Sequence, residues 1–157
     1  MSCVACGHRS TSQSALPARD ETVSPRPPVP VEEAGGSAAD AANVIRAYYR
    51  AINEQRYADA YTLWAGNGAA SGKTAGAFSA GFAGTASVDV ALGTPGPIGG
   101  AAGSRYVEVP VTIAALTKDG GRRAFAGTYT LRRSVVDGAT AEQREWRIHS
   151  AQIRRVG

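Results

Sequence analysis

The chain has 157 residues, 43% of them apolar, and its 17 basic and 13 acidic side chains leave a formal charge of +4. That is enough for one domain with its own core, but aromatics make up only 7%, so the core must rest on a few large side chains. No apolar run is long enough to span a bilayer, and both cysteines, Cys3 and Cys6, precede the foldable part, which excludes an internal disulfide there.

Residues 1–37 read as unfolded. Residues 10–37 are rich in Ser, Pro, Ala and Gly, with a Pro-Arg-Pro-Pro-Val-Pro-Val run from Pro25. Such a segment buries too little apolar surface to offset its ordering entropy, and its prolines favour an extended, solvated tether. Ahead of it stands Cys3-Val4-Ala5-Cys6-Gly7. A small residue before a cysteine, followed by a flexible polar tether, resembles the cleavage box of bacterial lipoproteins. The resemblance implies that Cys6 is lipidated and that the protein is held on a leash in the cell envelope, periplasmic or lipid-anchored; a cytoplasmic chain is the alternative. It also implies a start upstream of Met1, because the basic and apolar signal-peptide regions are missing and Cys3 stands where Leu is commonest. Two other readings compete: Cys3, Cys6 and His8 as metal ligands, one short of a structural zinc set, or a start without function.

Val44, Ile45, Tyr48, Tyr49 and Ile52 recur at helical spacing. They predict a first helix capped by Ser37 or Asp40 and ending near Asn53. After a break, Tyr57, Ala60, Tyr61 and Trp64 predict a second helix, stopped by Gly66-Asn67-Gly68. A third helix is expected over residues 74–82, with Phe78 and Phe82 facing inward.

From Val88 the apolar period becomes two. Val88, Val90 and Leu92 predict a first strand, followed by a loop over residues 93–103. Val107, Val109, Val111 and Ile113 predict the second, which turns at Asp119-Gly120. The third covers residues 123–134, with Phe125, Tyr129 and Leu131 on one face, and the fourth covers residues 146–156. From Lys118 onward nine basic residues face four acidic ones, about +5. Such a surface attracts anions, but the ordinary reading is a solvated outer sheet face rich in Arg. No basic motif interleaved with aromatics and no zinc-finger spacing points to nucleic acid.

Helices packed on one face of an antiparallel sheet make an α+β domain. The order of three helices then four strands, the opening A-x-x-V-I-R-A-Y-Y-R-A-I-N from Ala41 and the closing Trp146-Arg147-Ile148 resemble the nuclear-transport-factor-2-like superfamily. That superfamily includes ketosteroid isomerases, scytalone dehydratases, polyketide cyclases and many non-catalytic domains. The pattern Y-T-L-R-R-S-x-V-D-G-A-T from Tyr129 is also similar to small bacterial envelope proteins of unassigned activity. The resemblance covers residues 38–157. It implies a cone-shaped fold, with helices on a curved four-stranded antiparallel sheet, and pairing of two copies through that sheet. Tyr48, Tyr61, Trp64, Phe78 and Phe82 would line the cone, and no cofactor is implied.

An isomerase of this type needs a carboxylate base, and a Tyr plus a protonated acid for the enolate. Alignment on Asn53 puts Tyr48 at the oxyanion Tyr. Residues 65–71, where the base belongs, hold no carboxylate, and Gly127-Thr128-Tyr129-Thr130 stand where the second acid belongs. Glu108 and His149 are the remaining candidates. The parity of Glu108 opposes the valines, so a solvated glutamate paired with an Arg is expected; Asp89 is read the same way. His149, with no acid or nucleophile near in sequence, is expected to be structural. Residues 67–74 resemble a phosphate-binding loop but lack its first glycine and a preceding strand. The reading is a non-catalytic, envelope-tethered module that holds a small hydrophobic ligand or a protein partner. The alternative is an isomerase, dehydratase or cyclase using Tyr48, Glu108 or His149.

Overall fold

The computed structural model describes residues 36–157. Cys3, Cys6, His8 and the Pro-rich run, with the lipid, metal and tether expectations attached to them, lie outside those residues.

Ser37 and Asp40 cap the first helix together. The Ser37 hydroxyl accepts the Asp40 N–H at 3.1 Å, and the Asp40 carboxylate accepts the Ser37 N–H at 3.0 Å. This closes two of the donors that a helix start leaves open. The bonds from the Ser37 hydroxyl and N–H hold the Asp40 carboxyl below the usual carboxylate range. Helix α1 (Ala38–Asn53) buries Ala41, Ala42, Ile45, Tyr48, Tyr49, Ala51 and Ile52. At its end the Asn53 amide nitrogen donates to the Val88 carbonyl, while its oxygen accepts the Val88 N–H, both at 2.8 Å. This fastens the helix to the backbone of an edge strand.

Helix α2 (Tyr57–Thr62) stops before Trp64, earlier than the apolar spacing predicts. The backbone from Leu63 to Ala65 pairs instead with Ile148: the Ala65 N–H donates to the Ile148 carbonyl at 2.8 Å, and the Ile148 N–H to the Leu63 carbonyl at 2.9 Å. A 3-10 turn (Ala69–Ser71) and helix α3 (Ala75–Ala80), capped by the Thr74 hydroxyl, complete the helical layer. Among the described residues helix α2, not a strand, precedes residues 67–74, so they lack the strand-loop-helix setting of a phosphate-binding loop.

Among the described residues the sheet has five strands: β1 (Thr85–Leu92), β2 (Gly99–Ala101), β3 (Ser104–Thr117), β4 (Arg122–Ser134) and β5 (Arg147–Val156). All neighbouring strands run antiparallel in the order β1-β3-β4-β5, with β2 folded back on β3. The four-strand expectation therefore misses β2. It forms because Ala102 and Gly103 both take positive φ, 47° and 77°, the backbone that a two-residue hairpin needs. An alanine in that role leaves no turn signature. Helix α4 (Ala141–Arg144) was also not expected, although its Thr140/Gln143 capping box is legible.

Pairing puts Val88, Val90, Val107, Val109, Val111, Ile113, Phe125, Tyr129 and Leu131 on the face that the helices cover. The α+β architecture is thus as expected: helices on one face of an antiparallel sheet. The basic strands are not a single outer face. In a strand, adjacent side chains point to opposite sides, so each Arg-Arg pair is split. Arg122, Arg132 and Arg154 lie on the outer face by register, and Arg123, Arg133 and Arg155 on the helix side.

Candidate functional site

Between α1, the end of α3 and the inner sheet face lies a cavity of about 400 Å³. Its walls come from Val88, Ile113, Ala115, Phe125, Ile153 and Phe82; Tyr48, Tyr49 and Tyr129 form its inner end, and Lys73, Thr85, Thr117 and Arg123 its rim. The register explains the arrangement. Thr85 pairs with Thr117 and Ala115 with Arg123, so the rim is the end of the sheet where β1 starts and β3 turns into β4. Gly127 lies in β4 between Phe125 and Tyr129, and a Cβ on it would collide with the Gln152 carbonyl, so the close approach of β4 and β5 requires glycine.

The inner end is a cluster of phenols. The Tyr49 and Tyr129 hydroxyls share a hydrogen bond of 2.6 Å. The Tyr48 ring meets Tyr49 edge-on at 4.9 Å and Tyr129 at 6.3 Å. The Trp64 indole N–H approaches the Tyr48 hydroxyl and opposes part of its upward pKa shift, yet the pair falls short of a full hydrogen bond, and Trp64 Nε1 is buried without one. Burial is the main cause that pushes all three phenols far above their ordinary value. They stay protonated near neutrality, so they donate or accept hydrogen bonds but cannot take up a proton as a base.

The rim is positioned by helix caps and turns. The Tyr61 hydroxyl donates to the Lys73 carbonyl at 2.7 Å, fixing the entry to α3. The Lys73 side chain runs along that helix, its Nζ 3.9 Å from where a Cβ on Gly81 would stand. Tyr57 stacks on Phe82 at 5.8 Å with planes 8° apart, holding the Phe82 wall in place.

Of the five residues expected to line the pocket, Tyr48 and Phe82 do so. Phe78 packs between Tyr61 and Phe82, at 5.4 and 5.2 Å, and Trp64 lies behind Tyr48 at 6.3 Å. Glu108 and His149 do not meet Tyr48. Glu108 is exposed on the outer face opposite Thr130, and His149 is exposed beside Tyr106 at 5.7 Å. The Arg partner expected for Glu108 is not found among the described residues. Its nearest basic neighbour on β4, Arg132, gives its Nε–H to the Ser104 hydroxyl at 3.0 Å. Asp89 is exposed opposite Ala114.

Sequence reasoning missed Tyr49 and Tyr129 as a pair, and Lys73 and Arg123 as rim groups. The split of Arg122 from Arg123 by strand parity was the available signal. A groove of about 520 Å³ near Arg132, Arg133 and Arg147 is larger, but its cations are engaged. Arg147 bonds the Thr62 carbonyl and Glu145, and Arg133 bonds the Arg144 carbonyl. Among the described residues no cluster of His, Cys, Asp and Glu could hold a metal ion, and no helix is long and apolar enough to cross a membrane. Compared with known proteins, the chain matches no family model, no curated protein and no solved structure.

Proposed function

We propose that residues 38–157 form a nuclear-transport-factor-2-like domain, with the helices closing a cone over the sheet, and that it works as a non-catalytic binding module on an envelope-tethered chain. The observation that carries the reading is the cavity. Its walls are apolar, its inner end consists of neutral phenols, and its lining contains no carboxylate, imidazole or thiol. An apolar pocket with a few convergent polar groups suits a small ligand, while proton abstraction needs a base within hydrogen-bonding reach. Isomerase, dehydratase or cyclase chemistry through Tyr48 with Glu108 or His149 is disfavoured because the latter two stand exposed on the outer face.

The test is thermal unfolding of the protein with a panel of small apolar compounds, repeated on Ala115→Trp, which fills the cavity. Stabilisation of the native chain that the variant loses supports the proposal. No stabilisation by any compound, or equal stabilisation of both chains, counts against it.

The outer sheet face carries Pro110, Thr112, Ala114, Ala126 and Thr128, a run of small side chains on the side away from the helices. It suits a second copy of the chain or an envelope protein, and Thr128→Arg should break a dimer seen by sedimentation. The tether rests on the Cys6 box and the composition of residues 10–37; mass mapping of the native N-terminus that finds Met1 intact and unmodified would refute it.

A further inference from the structure

We infer that the ligand is a monomeric amphipathic acid, its apolar body in the cavity and its anionic head at the rim between Lys73 and Arg123. The inference rests on the binding role proposed above and names the class of ligand. Polarity along the cavity changes in one direction. The rim carries two cations and no anion, the walls are Val88, Ile113, Phe125 and Ile153, and the inner end offers only phenols. Register adds Arg155 to the same face at the same end, opposite Phe125.

Asp119, in the turn beside the rim, interacts electrostatically with Arg123 without pairing to it, and its hydrogen bonds go elsewhere. Its carboxylate accepts the Thr117 hydroxyl and the Gly121 N–H. Lys73 and Arg123 form no ion pair among the described residues, and both are exposed. A rim with two cations and one partly offsetting carboxylate beside it keeps a net positive charge over an apolar wall, which favours an acid head, tolerates a neutral one and repels a cation. Exposed ion pairs are individually weak, so the preference is selective rather than absolute.

The test is calorimetric titration of the full chain with dodecanoate, dodecanol and dodecyltrimethylammonium, the two ions below their micelle concentrations and the alcohol below its solubility limit. Dodecanoate should bind about tenfold more tightly than dodecanol, as expected for two exposed charge contacts, and the cation most weakly. Lys73→Gln combined with Arg123→Gln should bring dodecanoate down to the level of dodecanol and leave dodecanol unchanged, with circular dichroism confirming the fold. Dodecanol binding as tightly as dodecanoate in the native chain overturns the acid head and leaves the pocket reading intact. Dodecanoate binding undiminished in Ala115→Trp places it outside the cavity and overturns the inference. Binding of none of the three overturns the inference and the binding role together.

Discussion

The two ends of the inner sheet face carry the same alternating pattern and do opposite things. At one end Leu131 and Ile148 are 0% exposed and Trp146 is 3% exposed. There the backbone beside Trp64 is bonded to β5, and two indoles close the core. At the other end Phe82, Phe125 and Ile153 remain half-buried and face the cavity, because α3 has only six residues and leaves them uncovered. Backbone pairing brings the cover in at the closed end, and the short α3 leaves a cavity at the other.

Substitutions should separate the ends, most strongly at the closed one. Leu131→Ala deletes a fully buried side chain and should cost about 3 kcal/mol in chemical denaturation, whereas Ile153→Ala on the cavity wall should cost less than half of that. Equal losses would mean that the open end is as well packed as the closed one. Tyr129→Phe removes one member of the buried hydroxyl pair and should cost about 1–2 kcal/mol, since the Tyr49 hydroxyl is left without its partner. Tyr48→Phe should cost less, because among the described residues its hydroxyl is only approached by the Trp64 indole N–H, which makes no full hydrogen bond.

Ser37→Ala acts away from both ends and should cost about 1 kcal/mol by loss of the capping box. The folded pKa of Asp40 lies below its unfolded value, so its contribution is present at neutral pH and is lost as the pH falls below about 4. A native chain and a Ser37→Ala variant should therefore converge in stability on acidification. Lys73→Gln, fully at the surface, should shift stability by less than about 0.5 kcal/mol while weakening binding of an acid.

Alkaline titration sharpens the same contrast. The folded pKa values of Tyr48, Tyr49 and Tyr129 are raised. The unfolded chain therefore loses these protons first, and stability falls as the pH rises above about 10. Tyrosinate absorbance from these three should appear only with unfolding, followed by circular dichroism. Ionisation of all six tyrosines while the fold persists would show that the phenol end is open to water.

Much of the fold was legible because it follows from periodicity. The stripe Val44, Ile45, Tyr48, Tyr49 and Ile52 needs only helical spacing, and the valines of β3 need only strand parity. What escaped has either no turn signature or partners distant in sequence. β2 exists through a tight turn made by Ala102 and Gly103, and Trp64 leaves its helix because Ile148 competes for the backbone beside it. The cavity was legible only in part. Tyr48 and Phe82 carry an inward period, but the meeting of Tyr49 with Tyr129 spans 80 positions of chain and leaves no local trace.

Local chemistry therefore determined the main helices and the four long strands, their order and inward faces, and the lack of a carboxylate from residue 65 to residue 71. Tertiary structure alone decided that Lys73 from the helical layer and Arg123 from β4 share one rim, and that His149 sits beside Tyr106, whereas the outward side of Glu108 was already given by strand parity. Side-chain direction within a strand is a local property with a period of two, whereas convergence of groups from separate elements depends on pairing register and on how far each helix reaches over the sheet.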